Sequence, residues 1–498
     1  MKPVGVVVSR QTSPPTHLRF EFHVQDEDSI AVGDYVLVPS GKHDIIARVE
    51  ELSAYNSLFE RPEVLIEGRI YSLKLPTPYE SRLTRSVVAK ARILGTINVY
   101  DIDPPRLPPS PGEKVYKIPE ELLSRVIGLS EKGILLGKMW STNLRVELDL
   151  RKTLRHHIAI LGATGTGKSY ACGVIVEELL RRGVAVVIVD PHGEYSTLTI
   201  PSKKVHELER YGLRPRGFRI KLYSPKPDEC PGSSRLRVSI SDLPSEALAE
   251  ACNMTDVQED LVFLAYKRTR FNSLLALEEA IKITASKYGF KDVTLISVLR
   301  RLIVLNELGI IGEGFDPHRL VEPGVATILD LSCDMEERGR RVLVGTVLLK
   351  LFEARRRGQI PPFVVVIEEA HRFAPQSENP FSKRVIRRIA REGRKFGVGL
   401  VVVSQRVVGL DKDVISQCGT KILLRIDSIT DLNFLTPLLE HSASADVRML
   451  PLLPTGVALL TGVSVRFPML VKIRPRMSIH GGSGAILGGD ISDTDRPR

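Results

Sequence analysis

The stretch HIAILGATGTGKSYACGVIVEEL, residues 157–179, decides the fold. An apolar run leads into a Gly-rich turn and then into a helix-forming segment, and the turn Gly162-Ala163-Thr164-Gly165-Thr166-Gly167-Lys168-Ser169 matches GxxxxGK[ST]. Its glycines let backbone N–H groups turn toward phosphate oxygens, and the start of a helix adds its positive end. Lys168 is set to reach the β- and γ-phosphates and the Ser169 hydroxyl to meet Mg²⁺. The eight residues therefore predict an ATP site used with Mg²⁺.

Outward from this loop the same texture recurs in VAVVIVD, RIKLYSP, VATILDLS, FVVVIEE, GLVVVSQ, KILLRI and GVALLTG. Strands that are apolar throughout predict an α/β core whose sheet is parallel and covered on both faces. This core takes residues 151–238 and 321–465. Between them, residues 239–320 carry apolar side chains at helical spacing and predict a helical insertion. Before the core, residues 1–150 begin with short β-branched runs separated by turn residues, including EVLIEGRIYSL at 63–73. These predict a small antiparallel β-barrel followed by a connecting segment. The Pro-rich segment 101–115 marks a boundary or a long surface crossing. The tail, within 466–498, ends Gly-rich and polar.

Phosphate transfer needs carboxylates opposite the loop, to hold Mg²⁺ and to orient the attacking water. FVVVIEEAHRF supplies Glu368 and Glu369 at the end of an apolar strand, where open α/β sheets put ligands. Glu368 is expected to serve the metal and Glu369 the water. GLVVVSQR ends in Ser404-Gln405, where a γ-phosphate sensor sits. Asp190, His192 and Glu194 follow VAVVIV, and a hydrogen-bonded turn is the favoured reading there. The run 379–399 places Arg384, Arg387, Arg388 and Arg391 on one helix face, with Arg394 a turn farther on. Three readings stay open for that row: a solvated cationic face, a DNA-facing stripe, or an arginine finger offered by Arg394 or Arg391 to a neighbour's ATP.

Lys and Arg outnumber Asp and Glu by 70 to 59, a net charge of +11, which leans toward a polyanionic partner without naming one. The five cysteines lack CxxC pairing, which excludes a zinc or disulfide framework on sequence grounds and fits a reducing cytoplasm. No run approaches the ~18 apolar residues of a membrane helix. Aromatic residues make up 6% with a single Trp140, so base stacking along a single strand is not indicated.

Taken in order, GATGTGKS, VDPHGEYS, VIEEAHRFAP, AREGRKFG and VVSQR resemble the HerA branch of the HerA/FtsK group of hexameric DNA-pumping ATPases. The resemblance implies a RecA-like P-loop ATPase core with a helical insertion, an N-terminal barrel and a C-terminal brace. It further implies a homohexamer with ATP at subunit interfaces, double-stranded DNA ends as substrate, the nuclease NurA as partner, and work with other double-strand-break repair proteins. By the same resemblance Glu369 activates water, Gln405 senses the γ-phosphate, Arg394 is the finger acting in trans, and Arg155 contacts nucleotide. Lys472 and Ile473 contact it from a C-terminal brace that runs onto a neighbour. A nucleotide-switched scaffold and a polypeptide-threading ring are the competing readings.

Overall fold

The computed structural model describes residues 2–41, 43–56, 85–98, 102–130, 132–140, 142–268, 271–439 and 446–481. The chain forms two compact units, Met1–Leu129 with Met139–Leu144, and Ser130–Lys138 with Arg145–Arg498.

The first unit is a barrel. Its strands are β1 (Pro3–Val8), β2 (Arg19–Val24), β3 (Tyr35–Ser40), β4 (His43–Asn56), β5 (Arg85–Ile97), β6 (Ile102–Asp103) and β7 (Lys114–Lys117). All pairings are antiparallel, in the order β2-β1-β7-β3-β4-β5-β6, and β2 also pairs with β5. Six strands thus close on themselves, which removes the free edges of a small sheet. Phe22, Val36, Ala47, Ala89 and Val115 fill the interior. The Pro-rich segment is a crossing within the barrel, because β7 lies beyond it and pairs with β1 and β3. The expected strand at 63–73 lies outside the described residues.

The second unit is built on one sheet. To the hairpin β8 (Ile134–Met139) and β9 (Arg145–Leu148) it adds β10 (Ile158–Leu161), β11 (Ala185–Asp190), β12 (Ile220–Ser224), β13 (Ser234–Arg235) and β14 (Ala326–Asp330). It continues through β15 (Phe363–Ile367), β16 (Val398–Ser404), β17 (Thr420–Leu423), β18 (Val457–Gly462) and β19 (Met469–Ile473). The order is β13-β12-β14-β11-β15-β16-β10-β17-β18-β19-β8-β9. From β13 to β17 the strands are parallel. The expectation of a parallel GVALLTG is corrected: β18 runs antiparallel to β17. Burial on both faces makes such a strand apolar whichever way it runs, so its composition does not carry direction.

In residues 239–320 the helices Ser245–Ala251, Asp256–Arg268, Leu274–Tyr288 and Asp292–Glu307 follow one another, with a short Pro317–Leu320 turn of helix. Leu248, Leu261, Leu277 and Val298 carry them into the same core as Val187 and Val365 of the sheet. Among the described residues no helix is long and apolar enough to cross a membrane.

Candidate active site

Four parallel strands end side by side at the carboxyl edge of the sheet, and each delivers one part of the site. β10 delivers the phosphate loop. Gly165 and Gly167 adopt φ of +74° and +101°, values open to glycine and costly for other residues, and a side chain on Gly162 would strike Leu424 and Thr166. Ala163 N–H donates to Arg425 O at 2.8 Å, and Gly456 N–H donates to Thr166 O at 3.3 Å, so the loop is braced from β17 and from the turn before β18. Thr166 Oγ1 and Lys168 Nζ both donate to Ala163 O, at 2.8 and 2.9 Å. The helix Lys168–Arg181 starts here with no side-chain cap on its first N–H groups, which leaves them for an anion. Thr164 is exposed at the rim and Ser169 half-buried.

β15 delivers the glutamate pair. Glu368 is buried, and its Oε1 accepts the hydroxyl proton of Tyr195, which is itself buried. Burial first, then the charges of Asp190, Glu194 and Glu369, push its carboxyl up to about 8. Glu369 takes the left-handed conformation, φ +47°, which is uncommon for a residue with a side chain. His371 Nδ1 lies 3.2 Å from Glu369 Oε2 but off the line of a hydrogen bond, so this buried carboxylate oxygen has none. Burial works to raise Glu369, yet His371, Lys168 and His192 outweigh it and hold the group below the usual carboxylate range. Lys168 faces the pair: burial pulls its ammonium down against the pull of Glu369, Glu368 and Glu194.

β16 delivers Ser404 and Gln405. Thr164 Oγ1 donates to Gln405 Oε1, which brings Gln405 onto the phosphate loop. β11 delivers Asp190, which accepts backbone N–H groups of His192, Gly193 and Tyr195 at 3.2, 2.9 and 3.0 Å. That is the hydrogen-bonded turn, and its burial raises Asp190 to about 7. Lys472 and Ile473 lie on β19, where Ile473 N–H bonds Gly456 O at 2.9 Å, one residue from the loop's brace.

The residues fit a nucleotide with Mg²⁺. Among the described residues no three His, Cys, Asp or Glu form a metal cage. A hydroxyl and one or two carboxylates are what Mg²⁺ takes when phosphates complete its shell, and the buried Glu369 Oε2 keeps its acceptor capacity.

Two expected residues are not brought to this edge. Arg155 ends the helix Leu150–Arg155 and Arg394 lies near the end of Phe381–Phe396, and both line a cleft of about 370 Å³ at the amino ends of β15 and β16. Arg151 lines it too, with Pro323, Pro361 and Pro362. None of these three arginines has a carboxylate partner among the described residues. Three others of the arginine row are paired, while Arg384 lies over the Phe381 ring. Arg387 forks onto Asp411 at 2.9 and 2.7 Å, Arg388 reaches Glu353 at 2.9 Å, and Arg391 reaches Asp413 at 3.1 Å.

The described part of the C-terminal brace, residues 469–481, is seated on its own chain. Arg474, fully buried, reaches Glu177 at 3.1 Å and Glu178 at 3.0 Å, and Arg476 lies 3.4 Å from Glu177. Sequence reading also missed Tyr195 and His371 as partners of the glutamates. Both stood inside quoted motifs, and their nearness to Glu and Tyr in VDPHGEYS and VIEEAHRFAP was the available signal.

Comparison with known proteins follows the same outline. A family model described as "Helicase HerA, central domain" matches residues 134–352. The chain is similar to the DNA double-strand break repair helicase HerA of Pyrococcus furiosus, 29% identical over 96% of this chain and 94% of that one. It is also similar to the protein of the same name from Sulfolobus acidocaldarius, 29% identical over 74% of each. Among solved structures, the bacterial conjugative coupling protein TrwBdeltaN70 aligns with TM-score 0.49 and 14% identity, over 74% of this chain and 93% of that one. The family match runs through the phosphate loop, and the Pyrococcus relative spans nearly all of the chain. Through residues 134–352 the chain is similar to the HerA helicase family, and it is a P-loop ATPase that takes ATP with Mg²⁺.

Proposed function

We propose that this chain is an ATP-driven DNA translocase and helicase of double-strand-break repair. It acts as a homohexameric ring on the ends of duplex DNA in the cytoplasm, with the nuclease NurA and further repair proteins as partners. The observation that carries the ring is the separation of the arginines from the phosphate loop. Seven residues of β16 lie between Arg394 and Gln405, and at ~3.3 Å per residue the strand alone spans roughly 20 Å. An arginine on the far edge serves an ATP only if that ATP belongs to another copy.

In this reading the Gly162–Ser169 backbone and Lys168 hold the phosphates. Bound Mg²⁺ neutralises charge on the phosphates, with Ser169 and Glu368 as its protein partners. Glu369 orients water against the γ-phosphate, Gln405 reports that phosphate to β16, and Lys472 and Ile473 back the nucleotide. Arg394, with Arg155, contributes positive charge from the neighbouring copy. The net charge of +11 and the few aromatic residues suit phosphate-backbone contacts, hence sequence-independent DNA binding that weakens steeply with salt.

The test is ATP hydrolysis by the purified protein with and without linear duplex DNA, using Glu369→Gln as the blank. Strong stimulation that vanishes in the blank is expected. A slow rate indifferent to DNA overturns the motor in favour of a nucleotide-switched scaffold.

A further inference from the structure

His371 stands between the two halves of the catalytic edge. Its Nδ1 lies 3.1 Å from Ser404 Oγ and 3.2 Å from Glu369 Oε2, with both His371 and Glu369 largely shielded from solvent. The Ser404 hydroxyl donates to Arg406 O at 2.9 Å, so its own proton is committed, and toward His371 it can only accept. On that ground we assign His371 the tautomer with its proton on Nδ1, shared with Ser404, and Glu369 Oε2 has no hydrogen bond of good geometry. The residue after Ser404 is Gln405, already bonded to Thr164 of the phosphate loop. One N–H thus has two acceptors at nearly equal distance. One sits on the strand that meets the γ-phosphate, and the other is the carboxylate assigned to the water.

We propose that His371 is a positioning residue that couples nucleotide sensing to catalysis, by moving its Nδ1–H from Ser404 to Glu369 when Gln405 leaves Thr164 for the γ-phosphate. The first state, shown by this structure, keeps Glu369 unaligned. The second fixes its carboxylate for the attacking water. A buried acceptor without a hydrogen bond is unfavourable, which gives the shift a driving force once Ser404 moves with its strand. The inference rests on Glu369 being the water-orienting group.

The experiment measures ATP turnover with Mg²⁺ and linear duplex DNA, together with direct binding of a fluorescent ATP analogue. His371→Ala is expected to lower kcat roughly 10- to 100-fold, the usual consequence of a misaligned reacting group, while analogue affinity stays within about twofold. His371→Asn keeps an N–H donor near the Nδ1 position and is expected to recover most of the loss. Ser404→Ala removes the competing acceptor and is expected to leave kcat at or above wild type, whereas the His371→Ala/Ser404→Ala pair is expected to be as slow as His371→Ala alone, because the N–H that Ser404 held back is then missing. A wild-type kcat in His371→Ala overturns the proposal. So does equal loss in His371→Asn with binding intact, which would make the ring a packing element, or a loss confined to analogue affinity. Glu369→Gln separates the two levels: if it hydrolyses ATP normally, the assignment of Glu369 fails and the relay with it; if it is dead, the His371 results stand by themselves.

Discussion

The two edges of the core sheet are built on opposite principles. At the carboxyl edge three functional groups are held inside their own chain: Lys168 by Ala163, Glu368 by Tyr195, Gln405 by Thr164. At the amino edge Arg151, Arg155 and Arg394 line an open cleft beside Pro323, Pro361 and Pro362, with no carboxylate partner among the described residues. Arginine is seldom left so, since its planar fork pairs readily with carboxylate or phosphate. The carboxyl edge is preorganised for an anion within the chain, whereas the amino edge waits for an anion from outside it. On the proposed reading, the nucleotide of a neighbouring copy is that anion.

The sharpest way to break this comparison is Arg394→Ala. A finger acting in trans is worth about 10³ to 10⁵ in rate, so turnover should fall by that much while analogue binding to the intact loop persists. Mixing Arg394→Ala chains with Glu369→Gln chains should restore hydrolysis at interfaces that combine a good finger with a good glutamate. No rescue at any ratio removes the trans role.

A smaller effect concerns what joins the edges. The helix Lys168–Arg181 begins at the phosphate loop and ends beside Gly183, which lines the arginine cleft. Arg474 fastens it by Glu177 and Glu178 with no exposure to water. Arg474→Ala leaves buried carboxylates short of a counter-charge and should cost about 3–5 kcal/mol by denaturant unfolding. A loss below about 1 kcal/mol would mean that Arg181, Arg182 and Arg476 suffice to hold the helix.

Contiguous chemistry was legible in the sequence. The phosphate loop, Glu368-Glu369 and Ser404-Gln405 each occupy a strand end, and an apolar run followed by polar residues announces such an end. Pairing between distant strands was not. Tyr195 meets Glu368 because β11 and β15 are neighbours, an order that no local pattern encodes. Arg474 and Arg476 carry no local sign of burial, because the Glu177-Glu178 pair that buries them lies almost 300 residues earlier. Nor did the arginine row show which members are free, since Asp411, Asp413 and Glu353 belong to other elements.

At the amino edge His157 gives a pH signature. Its Nδ1 accepts Leu400 N–H at 3.0 Å and its Nε2 meets Ala390 O at 3.0 Å, tying the arginine-bearing helix to β16. Burial lowers its pKa to about 4, against the helping bond to Ala390. The unfolded chain therefore binds a proton near pH 6.5 that the folded chain refuses until about 4, so this contribution to stability is complete above about 6.5 and is lost as pH falls. Between pH 7 and 5 this contribution should fall by about 2 kcal/mol, read by denaturant unfolding as the difference between wild type and His157→Gln, because Asp190 and Glu368, raised to about 7 and about 8, act in the opposite sense over the same window.

The smallest effect discriminates most finely. Arg391 and Arg394 stand about one turn apart on one helix, yet Arg391 is bound to Asp413 and Arg394 is not. An exposed pair of this kind contributes about 0–1 kcal/mol, so Arg391→Ala should leave stability nearly unchanged and turnover within about threefold of wild type. A loss as large as that of Arg394→Ala would show that the pair with Asp413 opens in the assembly and that Arg391 is the finger. Asp413→Ala then decides the matter. Freed from its partner, Arg391 should raise turnover if it reaches the neighbour's nucleotide, and leave it unmoved if Arg394 alone does.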